Sequence, residues 1–144
     1  MTGATLRPQL AEIVETFAES DRADRLELLL DFADSLPTVP EGVGALEPVP
    51  ECQTPLYLAV AVESDRVRIV VDAPPEAPTT RAFGAIIVAG LDGASTDEVL
   101  ETPSDFYTAM GLGDVVSPLR LRGLVALLSR VKAAVVRELG TGNS

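Results

Sequence analysis

Residues 56–72 read LYLAVAVESDRVRIVVD. Leu56, Leu58, Val60 and Val62 alternate with Tyr57, Ala59 and Ala61, and Val67, Ile69 and Val71 alternate with Arg68, Val70 and Asp72. A period of two is the spacing of a strand, whose successive side chains point to opposite faces. Ser64 and Asp65 are nearly all that separates the two runs, so the natural connection is an antiparallel hairpin. The first run is apolar in both phases and belongs in the middle of a sheet, whereas Arg68 and Asp72 give the second a wetter face.

Upstream the sequence changes character. From Pro37 to Pro55, five prolines (Pro37, Pro40, Pro48, Pro50 and Pro55) interleave with Gly42 and Gly44, a density that no helix survives. A loop of this length inside a compact domain is usually functional or disordered, and Cys52 sits near its end. Before it come two helical patterns. Leu10, Ile13, Val14 and Phe17 line one face of a first helix after Pro8. Leu26, Leu29, Leu30 and Ala33 repeat the spacing after Ser20 or Asp21, either of which can cap the amino end, and the pattern stops before Pro37.

Downstream of the DAPPEAP segment, Thr79 or Thr80 can cap a helix through Phe83, Ile86, Ile87 and Gly90, apolar nearly all round and therefore buried. Ile86, Ile87 and Val88 would also suit a strand. Ser95-Thr96-Asp97-Glu98 is a capping box opening a short helix to Leu100 or Glu101. Pro103 starts another, with Phe106, Tyr107 and Met110, that ends near Gly111. Ser117 caps and Pro118 opens the last helix, in which Leu121, Leu124, Val125, Leu128, Val131 and Val135 recur at helical spacing for about five turns. Arg130, Lys132 and Arg137 lie toward its carboxyl end, where positive charge suits the helix dipole. The order helix, helix, hairpin, helices predicts an α+β fold, with helices packed on one face of a small antiparallel sheet.

With 144 residues, 47% apolar and 23% charged, the chain has the size and composition of one domain, able to bury roughly 70% of its unfolded surface. Residues 1–144 are read as that domain, with 1–7 and 139–144 as flexible ends. The longest near-apolar run, Ala82 to Leu91, is about half the roughly 20 residues a membrane-crossing helix needs. The amino terminus lacks the apolar stretch of a secretory signal, so a cytoplasmic location is the default expectation.

Net charge is −11, unevenly spread: residues 1–63 carry 12 acids and 3 bases, residues 117–144 carry 5 bases and 1 acid. An acidic total of this kind repels phosphate backbones and anionic lipid, which argues against nucleic acid or membrane as partner and for a protein with a basic face. The plain alternative is that the charges keep the protein soluble.

Two absences narrow the chemistry. There is no histidine and only one cysteine. Ser-His-Asp and Cys-His sites are excluded, as are an internal disulfide, a C-x-x-C pair, and a zinc or cluster site held by several thiolates of this chain. A single cytoplasmic thiol is often no more than a small buried hydrophobe, which would leave the chain a non-catalytic acidic interaction module. Against that, Cys52 stands in a Pro- and Gly-rich loop, where reactive groups concentrate. Glu51 disfavours thiolate, so self-activation would need Arg81, Arg120 or Arg122 to fold close. A group of this kind suits chemistry begun by a partner that presents an activated sulfur. Attack on a persulfide sulfur follows the rules of thiol–disulfide exchange and needs no metal or base from this chain.

The stretch Val49-Pro-Glu-Cys-Gln-Thr-Pro-Leu56 resembles the SufE segment in which a Gly-Cys-Gln-Ser core precedes a strand. Arg81 matches a basic residue in a similar place, and Ser117-Pro118-Leu119-Arg120 with Gly123-Leu124 is similar to the family's Ser/Thr-Pro-x-Arg-x-x-Gly-Leu signature. The order of elements agrees from about residue 8 to 137. The resemblance implies the fold shared by SufE and the NifU/IscU-type scaffolds. It also implies a sulfur acceptor and activator of a SufS-type cysteine desulfurase, feeding downstream iron–sulfur scaffold proteins. Such an acceptor carries no cofactor of its own, since pyridoxal phosphate belongs to the desulfurase, and it would be a monomer or weak homodimer. By the same resemblance Cys52 is the acceptor, with Glu51, Gln53, Asp72, Arg81 and Arg120 as supporting or partner-contacting residues. The sequence departs from the pattern with Glu51 for Gly, Thr54 for Ser, Arg122 for a small polar residue, and a longer DAPPEAP link.

Overall fold

The structure, a computed structural model, describes residues 6–50 and 55–142. Three strands, β1 (Glu47–Pro48), β2 (Tyr57–Glu63) and β3 (Arg66–Asp72), form one antiparallel sheet in the order β1-β2-β3. The apolar strand is therefore central, as its composition requires. β2 and β3 pair without a slip from Tyr57↔Asp72 to Glu63↔Arg66. Ser64 and Asp65 turn between them with φ of 51° and 65°, the left-handed pair of a two-residue type I′ turn. Neither is glycine, and the Thr96 hydroxyl donates to Asp65 Oδ1 at 2.7 Å, which helps to hold the turn.

The helices are α1 (Pro8–Ala18), α2 (Arg22–Ser35), α3 (Pro78–Leu91), α4 (Thr96–Glu101) and α5 (Pro118–Gly142), with 3-10 turns at Phe106–Met110 and Leu112–Asp114. The sheet's inner face, Leu58, Val60 and Val62 with Val67, Ile69 and Val71, carries α3 against β3 and α5 against β2; α1 and α2 stack on the far side of α3. Sandwiched in this way, α3 is buried on nearly every side, Ala82 to Ile87 included. Each of Ile86 and Ile87, fully buried, contributes about 1.5–3 kcal/mol relative to exposure. Burial on all sides explains why its sequence also read as a strand.

Local chemistry sets the ends. Asp21 caps α2 by accepting from Asp24 N–H at 2.9 Å. Ser95 and Glu98 complete the reciprocal capping box of α4, and the Ser117 hydroxyl accepts from Arg120 N–H at the start of α5. Gly111, at φ 69°, ends the first 3-10 turn.

Several expectations are corrected. Thr79 and Thr80 do not cap α3: Ala77 is its N-cap, Pro78 its first residue, and Thr80 is buried within it. The span from Pro37 to Pro55 is interrupted by β1, which pairs Glu47↔Leu58 and Pro48↔Tyr57. On α2, Leu26 and Leu30 are 49% and 46% exposed; the buried stripe runs one step round, through Leu29 and Ala33, with Leu28 and Phe32 partly buried beside it. Arg7 donates to the carbonyls of Gly90 and Asp92, and α5 runs for 25 residues to Gly142 rather than about five turns. Among the described residues no helix is long and apolar enough to cross a membrane.

Candidate functional site

Among the described residues, the end of the sheet opposite the hairpin turn holds Asp72 and, through its hydrogen bond to Ala73, Arg81. Val49 N–H donates to Leu56 C=O at 2.8 Å, with both side chains buried. Val49 and Leu56 are therefore held side by side at this end of the sheet. Glu51, Cys52, Gln53 and Thr54, which lie between, fall outside the described residues, and so do the roles assigned to the first three.

Beside that pair, Pro48, Tyr57 and Asp72 form one row across the three strands. Asp72 is exposed on the outer face beside Tyr57, itself 39% exposed. At the next residue the chain turns toward α3, and Arg81 fixes the turn. Its guanidinium donates from Nη1 to Ala73 C=O at 2.6 Å and from Nε to Ala33 C=O at 3.3 Å. Arg81 thus binds the end of β3 to the end of α2. A guanidinium spent on two carbonyls orders the junction of α2 and β3.

Arg120 occupies the exposed first turn of α5. Its side chain makes no hydrogen bond or ion pair with another described residue, and Arg122 is exposed on the same helix. The structure therefore brings Asp72 and Arg81 to the base of the 50–55 segment and does not join Arg120 to them.

A feature the sequence reading missed begins at the same base. A cleft of about 380 Å3 runs between the strands and the later half of α5, lined by Glu47, Val49 and Leu58 on one side and Arg130, Arg137 and Glu138 on the other. The signal was present in the seven-residue spacing of Arg130 and Arg137, which puts both on one helix face, but only the packing of α5 against β2 turns that face toward the sheet.

Known proteins agree with this picture. A profile of the family described as "SufE: Fe-S metabolism associated domain" matches residues 11–135. An uncharacterized SufE-like protein of Mycobacterium tuberculosis is 52% identical over 132 residues, covering 90% of this chain and 92% of the relative. One from Synechocystis is 32% identical, covering 97% and 89%. The solution structure of a hypothetical protein from Thermus thermophilus superposes with a TM-score of 0.86 at 41% identity, covering 94% and 99%. On the sheet order, the helical layers and this match over most of its length, the chain belongs to the SufE family, associated with iron–sulfur metabolism.

Proposed function

We propose that this chain accepts sulfur at Cys52 from the persulfide of a SufS-type cysteine desulfurase, accelerating that enzyme, and passes the sulfur to iron–sulfur scaffold proteins. The Cys52 thiolate attacks the outer sulfur of the desulfurase persulfide. The S–S bond breaks, the desulfurase thiolate leaves and takes up the proton that Cys52 gave up, and a persulfide now stands on Cys52. The exchange needs no external oxidant or reductant. Pyridoxal phosphate remains the desulfurase's cofactor, and the acceptor brings none. Asp72 and Arg81 serve as supporting residues at the base of the segment, and Glu51, Gln53 and Arg120 as contacts to the partner. The protein works in the cytoplasm as a monomer or weak homodimer.

The observation that carries this reading is that the chain's only cysteine falls in a segment whose two ends are pinned together at Val49 and Leu56. A stretch anchored in this way can present a thiol to another protein without disturbing the core, and family membership supplies the sulfur chemistry. The test is to incubate the protein with its host's desulfurase, cysteine and pyridoxal phosphate, and then to weigh it intact. A gain of sulfur atoms, removed by reductant and absent in Cys52→Ser, is expected, together with loss of stimulation in that variant. If the serine variant stimulated turnover as well as the parent, Cys52 would be mere packing and the chain an interaction module.

A further inference from the structure

Large apolar side chains in water are few on this molecule, and most stand alone. Among the described residues Val39, Tyr57, Leu119 and Val136 are exposed on separate elements or far apart along α5, and scattered exposure of that kind needs no explanation. Leu26 and Leu30 differ. They are one turn apart on the same face of α2, and with exposed Ala23 they follow the i, i+3, i+7 spacing of a seam along which one helix packs on another. The fold leaves this stripe unused: the core-facing residues of α2 are Leu29 and Ala33, and Phe32 stacks on Phe17 of α1.

Acids flank the stripe on one side. Glu27 and Asp34 take the positions beside a helical seam where charge selects the partner, and Asp31 lies one turn beyond Glu27. All three are exposed, and their carboxylates make no hydrogen bond or ion pair among the described residues. Of the two bases on α2, Arg25 is turned away to Asp114 and the carbonyls of Phe17 and Ala18, and Arg22 stands at the first residue. The complement of this face is a helix with an apolar stripe and lysine or arginine beside it.

A second copy of this chain offers no such helix. Its own α2 would set acid against acid, and a net charge of −11 on each copy opposes pairing. Bases cluster on α5, but Lys132 donates to the Thr102 carbonyl, and Arg130 and Arg137 border the cleft against the sheet. What α5 presents at its start is Leu119 alone beside Arg120 and Arg122, one apolar residue against two leucines a turn apart.

We propose that the face of α2 formed by Ala23, Leu26 and Leu30 docks a basic amphipathic helix of a partner protein. The partner's apolar stripe lies on the two leucines, and its cations lie against Glu27, Asp31 and Asp34. α2 belongs to the layer across α3 from the sheet. Docking there is therefore independent of sulfur transfer and persists in Cys52→Ser.

The test uses the full chain, labelled for NMR, and a capped peptide of about five helical turns made of leucine, alanine and lysine, its leucines alternately three and four residues apart. A second peptide has the same composition in shuffled order, so the charge stays and the stripe is lost. With the striped peptide the amide resonances of Ala23, Leu26, Glu27 and Leu30 should shift saturably, and the shuffled one should bind about tenfold more weakly. Leu26→Gln combined with Leu30→Gln changes exposed positions only; it should leave the melting temperature in place and weaken the striped peptide about tenfold. Glu27→Gln combined with Asp31→Asn should weaken it too and flatten its salt dependence. Equal affinity for the two peptides would reduce the contact to charge attraction and overturn the proposal. So would shifts centred away from α2, binding untouched by the leucine or the acid replacements, or binding lost in Cys52→Ser. Sedimentation without peptide supplies the last arm: self-association abolished by the leucine replacements would make the occupant a second copy, and the proposal would fail.

Discussion

The two carbonyls held by Arg81 belong to chain ends that would otherwise be unpaired in a partly buried place: Ala33, in the last turn of α2, and Ala73, just past β3. Replacing Arg81 with Met keeps the stem's packing and strands both acceptors. Charge-assisted bonds of this type contribute about 1.5–3 kcal/mol each at most, so Arg81→Met should lower the urea midpoint by an amount equivalent to roughly 2 kcal/mol. Arg81→Lys, which cannot fork to two carbonyls, should recover only part. An unchanged midpoint in both variants would mean that the clamp contributes nothing. A basic residue at this position was legible in the sequence, but its role was not, because a carbonyl partner leaves no mark in the identity of Ala33 or Ala73. The type I′ turn is the reverse case: the two-residue spacing was plain, while the strain was hidden in Ser64 at φ 51°. Asn tolerates that region better than Ser, and Ser64→Asn should raise thermal stability modestly, by about 0.5 kcal/mol.

Between elements, the close contacts decide. Gly84 of α3 lies so near β3 that a Cβ would fall 2.6 Å from Val71 Cγ1. Gly84→Ala should therefore separate α3 from the strand and cost about 1–3 kcal/mol by overpacking, read as a drop in melting temperature. Because Val71 precedes Asp72, which pairs with Tyr57, the displacement reaches the end of the sheet at Pro48 and Tyr57 as well. The phase of α2 gives a second comparison. Leu29 is 3% exposed and Leu30 46%, so Leu29→Ala should cost about 2–5 kcal/mol and Leu30→Gln less than about 0.5; equal losses would contradict the observed phase. Three consecutive leucines from Leu28 to Leu30 satisfy more than one helical stripe, and for that reason the sequence pointed to Leu26 and Leu30 as well as to the true inner positions. β1 was illegible for another reason: two residues, one of them a proline, show no periodicity, and the strand exists only because β2 offers an edge. The hairpin, the capping box of α4 and the start of α5 were legible because each is specified within a few residues.

Over the whole molecule, the charge asymmetry of the sequence becomes a surface. Glu12, Glu15 and Glu19 on or next to α1, and Asp24, Glu27, Asp31 and Asp34 on α2, are all exposed. They sit on the layer farthest from the sheet, while the basic residues of the last segment lie along α5. Opposed charge distributions steer association more than they tighten it, and salt screens them over a Debye length of about 8 Å at physiological ionic strength. A desulfurase approaching with a basic face should be captured faster at low salt, so stimulation at limiting acceptor concentration should fall as salt rises to physiological levels. Replacing Glu27 and Asp31 with lysine should mimic that fall at low salt and flatten the salt dependence. These side chains are exposed and make no contact that holds the fold, so melting temperature should move little. Stimulation that ignores both salt and charge reversal would place the docking surface elsewhere and leave the acidic layer with solubility as its only role.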